Sequence, residues 1–403
     1  MRILIDVRIE PGFDGGIEAL VIGMACGFRE IQDIVTHKFV FLCRNGGSEY
    51  LRPYVGGNVE ILEEEFAYSG FFYGIRTCIR KFFPICGIFL REFGLRKPGR
   101  QLMELQVLPN ITFKFHFDLI HSLNPMLPIT DPRPQVLTVH DFQHHHLPEL
   151  FSKEVVQWRE TVHPQHFKVV KKIVAISQFT ANELHKIYGV PKTKIQMIHW
   201  GAPVCTYKEI SVMEKIKVVK KYDLETPYLI YPSLTYAHKN HLNLLKAVHW
   251  LKNIKGIKVR VICTGAKKLI WPVIEKQLCN LGLNNDIIFT GFLATPEMRV
   301  VFENAKGLIF PSLYEGFGLG IVEALSLGKP IACSNLPVFH EIAGDAPIYF
   351  DPRNPEEIAL AMLQILGTSD KFKMLSQLSR KEGLRFEWAK VARDYVSVYE
   401  NSV

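Results

Sequence analysis

Short apolar runs alternate with longer stretches of helical apolar spacing over nearly the whole chain. This alternation is typical of βαβ units, in which helices join parallel strands. It predicts an α/β protein with two doubly wound parallel sheets, one in each half of the chain. The predicted strands are 3–7, 38–43, 119–121, 135–140 and 172–175 in the first half, and 228–231, 258–263, 287–289, 307–310 and 330–333 in the second.

The chain has 403 residues, which is too long for one ordinary core and suits two domains of about 150 to 200 residues each. Residues 202–227 combine an Ala-Pro step, a charged run and a Glu-Thr-Pro step, so they read as a connector with one helix. We therefore place an N-terminal domain at 1–202 and a C-terminal domain at 203–385. The closing segment, 386–403, has helical apolar spacing and can pack on either domain, including back on the first.

Apolar residues make up 48% of the chain and charged residues 22%, which is the balance of a folded globular protein. No run of about 18 apolar residues predicts a membrane-spanning helix, and the N-terminus lacks the apolar run of a signal peptide. The cysteines form no CxxC pair, so we expect reduced thiols and a cytoplasmic location. The eight cysteines are Cys26, Cys43, Cys78, Cys86, Cys205, Cys263, Cys279 and Cys333.

Positive charge is concentrated in residues 71–100, which hold seven Arg or Lys residues and a single glutamate. The same segment carries seven Phe or Tyr residues. A basic, aromatic helix lying on anionic lipid fits this composition, and it would make the protein peripheral at the inner face of a membrane. A core-facing helix pair with solvated cations is the alternative. We expect no nucleic-acid partner.

Ligands of doubly wound sheets bind beyond the carboxyl ends of the strands. After the predicted strand 307–310 comes a loop with three glycines, which runs into a helix that contains Glu323. Glycines allow close backbone approach, and the free amides of a helix start favour a diphosphate. The spacing matches neither GxGxxG nor a P-loop. Glu315 and Glu323 can flank one ligand; alternatively, Glu315 caps the helix and Glu323 is a surface residue.

Two further strand ends carry candidate side chains. His238 and Lys239 follow the strand 228–231, where a lysine can meet phosphate oxygens, although a solvated lysine at a helix start is the alternative. His140 ends the strand 135–140 and begins a run with three more histidines. Adjacent histidines at one strand end cannot easily ligate one ion, so we favour a sugar contact for His140 over a metal site or plain loop histidines. Near the N-terminus, Gly15 and Gly16 would let a loop approach a ligand from the opposite domain, and a simple tight turn is the alternative.

Five sequence strings match one family when taken together. They are the two glutamates Glu315 and Glu323 with seven residues between them, HKNH at 238–241, AISQFTANEL at 175–184, VHDF at 139–142 and SNLPVFHEIAGDAPIYFDP at 334–352. Over almost its whole length the chain resembles the retaining glycosyltransferases of family 4, and it is similar to bacterial mannosyltransferases of polysaccharide biosynthesis. The resemblance implies the GT-B architecture, in which two Rossmann-like, doubly wound domains face each other across a cleft.

The resemblance also implies roles for the C-terminal strand ends. Glu323 would hold the ribose hydroxyls of a nucleotide-sugar donor, and Lys239 would neutralise its diphosphate. Glu315 would address the sugar and phosphates together with the backbone amides of Phe317, Gly318, Leu319 and Gly320. No cofactor or metal is implied, because the donor is itself a substrate.

Three other positions follow from the same resemblance. His140 would contact the transferred sugar, Gly291 and Phe292 would lie near the base, and Gly16 would lie near the phosphate and the acceptor. Many relatives carry arginine where this chain has His238 and proline where it has Gly320. A protonated His238 could still donate a hydrogen bond, with a charge that depends on pH near its unperturbed pKa of about 6.5.

The function implied is transfer of a hexose, with mannose from GDP-mannose as the first choice, to a saccharide or lipid-linked saccharide in cell-surface polysaccharide synthesis such as that of O-antigen. Transfer would retain the anomeric configuration through an oxocarbenium-like state. Two alternatives remain open. One is a nucleotide-sugar epimerase, and the other is a catalytically degenerate transferase that acts as a membrane-associated subunit.

Overall fold

A computed structural model describes residues 1–9, 15–64, 116–123, 131–207 and 210–403. The basic, aromatic segment 71–100 lies outside the described residues. The strands are β1 (Arg2–Asp6), β2 (Lys38–Arg44), β3 (Val59–Glu64), β4 (Leu119–Ser122), β5 (Gln135–Val139), β6 (Lys172–Ala175), β7 (Ile195–Met197), β8 (Leu229–Pro232), β9 (Val261–Thr264), β10 (Ile287–Gly291), β11 (Gly307–Phe310), β12 (Ile331–Ser334) and β13 (Ile348–Phe350).

Helices connect these strands, as parallel pairing requires. The helices are α1 (Gly15–Glu30), α2 (Gln143–His146), α3 (Lys153–Val169), α4 (Gln178–Tyr188), α5 (Val212–Tyr222), α6 (His241–Ile254), α7 (Trp271–Asn280), α8 (Thr295–Asn304), α9 (Leu319–Ser326), α10 (Pro337–Ala343), α11 (Pro355–Ile365), α12 (Ser369–Gly383) and α13 (Trp388–Glu400). In the part of the chain that the structure describes, no helix is both long and apolar enough to cross a membrane.

Within the described ranges, the first sheet has seven parallel strands in the order β3-β2-β1-β4-β5-β6-β7. The second sheet has six parallel strands among the same residues, in the order β10-β9-β8-β11-β12-β13. In each sheet the strand order reverses once, at β1/β4 and at β8/β11. Loops leave such a point in opposite directions and open a crevice at the carboxyl edge of the sheet. The predicted pair of doubly wound α/β sheets is confirmed.

The ten predicted strands are all present, with ends that differ by up to three residues, and three observed strands were not predicted. The missed strands β3, β7 and β13 all lie at sheet edges. An edge strand has a neighbouring strand on one side only and tolerates polar residues, so its sequence contains fewer consecutive apolar residues. In β7, for example, Ile195 and Met197 are half-buried while Gln196 is exposed.

The C-terminal helix α13 packs against α1 and the first sheet. Its Tyr399 hydroxyl lies 2.8 Å from Nδ1 of His121 on β4, and Nε2 of the same ring lies 2.8 Å from the Thr138 hydroxyl on β5. Both His121 and Tyr399 are fully buried. The indole of Trp388 donates a 2.9 Å hydrogen bond to the carbonyl of Ala202. These bonds fasten the end of the chain to its first half, while the boundary near residue 202 stays a prediction.

Candidate active site

A cleft of about 1020 Å³ lies between the carboxyl edges of the two sheets. The first sheet lines it with the residues that follow β1 and β5, and the second sheet lines it with those that follow β8 and β11. Of the twelve predicted site residues, eleven line this one cleft: Gly16, His140, His238, Lys239, Phe292, Glu315, Phe317, Gly318, Leu319, Gly320 and Glu323. The topology therefore brings together residues that are up to about three hundred positions apart in the sequence.

Lys239 and Glu315 form an ion pair in the cleft. Nζ of Lys239 lies 2.5 Å from Oε1 of Glu315, and the hydroxyl of Ser312 donates to the same oxygen at 2.7 Å. Only 17% of the lysine side chain and 12% of the glutamate side chain are exposed. A bound anion could therefore compete for a lysine that is already oriented towards the cleft.

A tight turn after β8 presents Lys239. Asn240 adopts a left-handed φ of 62°, and its side-chain amide donates to the carbonyls of Pro311 at 2.9 Å and Pro352 at 2.7 Å. The Tyr231 hydroxyl donates to the Lys239 carbonyl at 2.6 Å. Asparagine tolerates the left-handed region better than most residues, and here its amide also ties the turn to two neighbouring loops. The HKN sequence thus fixes the lysine backbone before any ligand arrives.

Glu323 is a buried carboxylate without a partner on one of its oxygens. It stands on α9 with 6% of the residue exposed, and its Oε1 has no hydrogen-bond partner among the described residues. Burial raises the pKa of this carboxyl well above its usual range. A buried acceptor left unpaired destabilises the fold, which is the arrangement expected where a ligand supplies the missing donors. The alternative reading of Glu323 as a surface residue is wrong.

The glycine loop before α9 packs closely on its neighbours. Gly318 has a left-handed φ of 101°, in which a side chain would be strained. A β-carbon built on Gly320 would lie 3.0 Å from both Phe310 and Pro232, so little space remains beside the second residue of the helix. Leu319 and Gly320, the first two residues of α9, line the cleft. The first amides of a helix have no partner within it, which suits an anion site.

His140 is held in one tautomer. Its Nε2 lies 2.5 Å from the Leu123 carbonyl, which can only accept, so Nε2 carries the proton and Nδ1 is left as an acceptor. Nδ1 is buried and unpaired among the described residues. Burial lowers the pKa of His140, so the ring is neutral at pH 7. The edge of the ring meets Trp200, with 5.3 Å between centroids.

His238 stands where many relatives carry arginine, and its surroundings disfavour a positive charge on the ring. Burial, with smaller contributions from Lys239 and His241, lowers the pKa of His238 to about 2, so a protonated ring is not expected at pH 7. The ring stacks beside Tyr236 at 5.9 Å between centroids. The protonated form through which His238 could donate a hydrogen bond is thus not favoured at pH 7, and His238 lines the cleft as a neutral ring.

Gly291 is the predicted residue that does not line the cleft. It has a left-handed φ of 77°, and its carbonyl accepts from the amide of Gly265 at 2.8 Å. This turn presents the next residue, Phe292, which lines the cleft and is 51% exposed. Gly291 thus positions Phe292 in the cleft wall, although Gly291 itself does not line the cleft.

The remaining histidines after β5 have partners within the protein. His144 lies 3.3 Å from Oε1 of Glu160, and His146 pairs with Glu183. Over the described ranges, no three His, Cys, Asp or Glu side chains lie together as a metal site would require. The expectation that no metal is needed stays a prediction.

Sequence reasoning missed a set of contacts that join the two halves of the cleft. The Ser177 hydroxyl donates to the Gly316 carbonyl at 2.7 Å, and the Glu341 carboxylate accepts from the amide of Gln178 at 2.6 Å and that of Phe179 at 2.9 Å. Both residues belong to strings that carried the family resemblance, but no role followed from those strings. The available signal was that Ser177 and Glu341 lie in strings that match the family although neither residue was assigned a ligand role.

Two family models match the chain in succession. The model described as Glycosyltransferase Family 4 matches residues 67–204, and the model described as Glycosyl transferases group 1 matches residues 212–382. The two matches lie on either side of the predicted domain boundary and include most of the cleft residues.

Several known proteins are similar to the chain. It is 25% identical to O-antigen chain mannosyltransferase B of Escherichia coli over 319 residues, which are 78% of this chain and 80% of that protein. It is 23% identical to O-antigen chain mannosyltransferase RfbU of Salmonella typhimurium over 232 residues, covering 58% of this chain and 59% of that one. The structure of Anabaena HepE in complex with UDP and glucose superposes with a TM-score of 0.72 over 99% of both chains, at 18% identity. This last likeness concerns the fold, and the predicted GT-B architecture is confirmed.

Proposed function

Because the chain belongs to the glycosyltransferases that combine a family 4 domain with a group 1 domain, we propose that it is a retaining hexosyltransferase acting on a nucleotide-diphosphate sugar. The sugar is mannose in the first instance, since the curated relatives named above are O-antigen mannosyltransferases. The acceptor is a saccharide or a lipid-linked saccharide of a cell-surface polysaccharide.

The observation that carries the proposal is the carboxyl oxygen Oε1 of Glu323, which is buried in the cleft wall on α9 and has no partner in the part of the chain that the structure describes. A pair of ribose hydroxyls supplies the donors that this oxygen lacks. Glu323 stands on the same short helix whose first residues, Leu319 and Gly320, line the cleft, so one element binds both ribose and diphosphate. Phe292, half-exposed on the cleft wall, offers a face on which a base stacks.

Lys239 and the helix start bind the diphosphate and stabilise it as it leaves. In the reaction, the bond between the anomeric carbon and the diphosphate oxygen breaks, and the acceptor oxygen bonds to that carbon on the same face. The acceptor proton passes to a phosphate oxygen, so no protein general acid is needed. The ion pair with Lys239 occupies Glu315, which supports a positioning role for this carboxylate instead of nucleophilic attack.

His140 approaches the sugar from the opposite wall as a neutral ring. Its Nδ1, which has no partner among the described residues, accepts a hydrogen bond from a sugar hydroxyl, because the Leu123 carbonyl already holds the proton on Nε2. Gly16, at the start of α1, leaves room for the acceptor, since no atom of the described residues lies within 4 Å of the place where its β-carbon would be. The acceptor thus enters beside the first sheet.

The test is a calorimetric screen of the purified protein against GDP, UDP, ADP, dTDP and their common sugar conjugates. A clear preference for one base identifies the donor class, and proton NMR of the product then reports the anomeric configuration. An absence of binding to every nucleotide contradicts the proposal. Conversion of the donor to an isomeric nucleotide sugar without any acceptor supports the epimerase alternative.

Residues 71–100 extend the proposal to a membrane. Their seven basic and seven aromatic side chains suit contact with anionic lipid, where a lipid-linked acceptor resides. Co-sedimentation of the full chain with vesicles that contain anionic lipid, and with vesicles of neutral lipid alone, tests this contact. Equal co-sedimentation with both kinds of vesicle, or no co-sedimentation with either, contradicts the proposed membrane contact.

A further inference from the structure

The two walls of the cleft meet at a backbone contact that leaves no room for a side chain. A β-carbon built on Gly316, in the loop after β11, would lie 1.9 Å from the carbonyl oxygen of His140, in the loop after β5. The amide of Phe142 also donates to the Tyr314 hydroxyl at 3.1 Å. The loop that carries His140 and the loop that carries Glu315 therefore touch directly across the cleft.

Two hydroxyls at the start of α4 bind both loops. Ser177 donates to the Gly316 carbonyl at 2.7 Å and accepts from the Thr180 amide at 3.0 Å. The Thr180 hydroxyl lies 3.4 Å from the carbonyls of both His140 and Gly316. Ser177 and Thr180 are fully buried. Their hydrogen bonds therefore link a helix of the first half to loops from both halves.

A carboxylate from the second half caps the same helix. Glu341, on α10, accepts from the backbone amides of Gln178 and Phe179 at 2.6 and 2.9 Å, and from Nε2 of His199 at 2.6 Å. A negative charge at a helix start also interacts favourably with the helix dipole. Three hydrogen bonds to one carboxylate, only 18% exposed, make this a strong contact between the two halves.

We propose that Ser177, Thr180 and Glu341 are positioning residues that hold the cleft closed, so that His140 faces Glu315 and Lys239 while water is kept from the donor. None of the three is among the described residues that line the cleft, so they act through the loops and not on a ligand. The inference rests on the proposed transfer function. An open cleft separates the two loops and lets water compete with the acceptor for the anomeric carbon.

The test uses Ser177→Ala, Glu341→Gln and the double variant, with Ser211→Ala as the matched control. Ser211 caps α5 in the same way, accepting from the Glu214 amide at 3.3 Å, but its bonds stay within one half of the chain. For each variant, donor hydrolysis and transfer to acceptor are measured separately, together with nucleoside-diphosphate affinity. Small-angle scattering reports the radius of gyration of the ligand-free protein.

The Ser177 and Glu341 variants should raise the ratio of hydrolysis to transfer by about tenfold, the scale of one charge-assisted hydrogen bond, with affinity changed by less than about threefold. The double variant should also have a larger radius of gyration than Ser211→Ala. If the hydrolysis-to-transfer ratio and the radius of gyration equal those of the control, the proposal is overturned.

If Ser177→Ala does not fold, the isosteric variant Glu341→Gln alone tests the proposal. Should the wild type turn over no nucleotide sugar, the proposed function fails, while scattering still tests the closure.

Discussion

The carbonyl oxygen of His140 lies so close to Gly316 that a β-carbon on this glycine would fall 1.9 Å from it. The two residues come from opposite walls of the cleft, and the atom that would be struck belongs to the backbone, which cannot rotate away. Glycine at this position is thus a condition for the cleft to close.

Gly316→Ala should fold but lose most transfer activity, because the added methyl group separates the two loops. We expect transfer to fall by about tenfold or more, since misplacing reacting groups by about 1 Å can lower rates a hundredfold. Transfer assays check this, with Gly367→Ala as the control. The control site meets its nearest atom at 3.3 Å and lies outside the cleft. Equal activity of the two variants would show that the contact is not needed.

Glu323→Gln should stabilise the ligand-free protein and weaken nucleotide binding. The raised pKa of Glu323 means that folding favours its protonated form, so wild-type stability falls as pH rises from about 4.3 towards the raised value. The amide does not titrate, so the variant should melt about 2–4 °C higher at pH 8, which corresponds to roughly 1 kcal/mol in a domain of this size. Melting curves at pH 5 and 8, with calorimetry of nucleotide binding, check both effects. A lower melting temperature for Glu323→Gln than for the wild type at pH 8 would argue against a destabilising buried charge at Glu323.

Lys239→Ala should lower turnover more than donor binding. The lysine meets the diphosphate as its charge grows, so its loss should reduce kcat by roughly 10 to 150-fold, the equivalent of about 1.5 to 3 kcal/mol. The substitution also removes the ion pair of Glu315 and leaves this carboxylate its 2.7 Å hydrogen bond from the Ser312 hydroxyl. Steady-state kinetics and calorimetry separate the two effects. Small, equal changes in kcat and affinity would contradict the assigned role.

Glu341 should contribute stability that disappears in acid. Burial raises the pKa of this carboxyl, but the hydrogen bonds from His199, Gln178 and Phe179 outweigh burial and hold the pKa below its usual value. The contribution is therefore present above the unfolded pKa of about 4.3 and is lost as pH falls through the lower, folded value. The difference in melting temperature between wild type and Glu341→Gln should be largest near pH 7 and should shrink below about pH 4. A melting-temperature difference that stays constant between pH 7 and pH 4 would show that the titration of Glu341 does not contribute to stability.

Tyr399→Phe should destabilise the protein without altering nucleotide binding. The variant removes the hydroxyl that pairs with Nδ1 of His121 and leaves a buried ring nitrogen unpaired. The expected loss is about 1–3 kcal/mol of unfolding free energy, measured by denaturant titration. A stability equal to that of the wild type would mean that water replaces the hydroxyl.

The sequence determined the parallel strands, because apolar runs and helical spacing are local properties that any segment carries with it. It also located Glu315, Lys239 and His140 at strand ends, since parallel connectivity brings those ends to one edge. Edge strands such as β7 escaped prediction because partial exposure weakens the apolar signal. Only the tertiary structure decided which groups are charged and which loops meet. His238 is neutral because of its burial, and Ser177 reaches Gly316 across 139 residues of sequence. Burial and contact between distant segments depend on how the two sheets pack, and no local pattern encodes that.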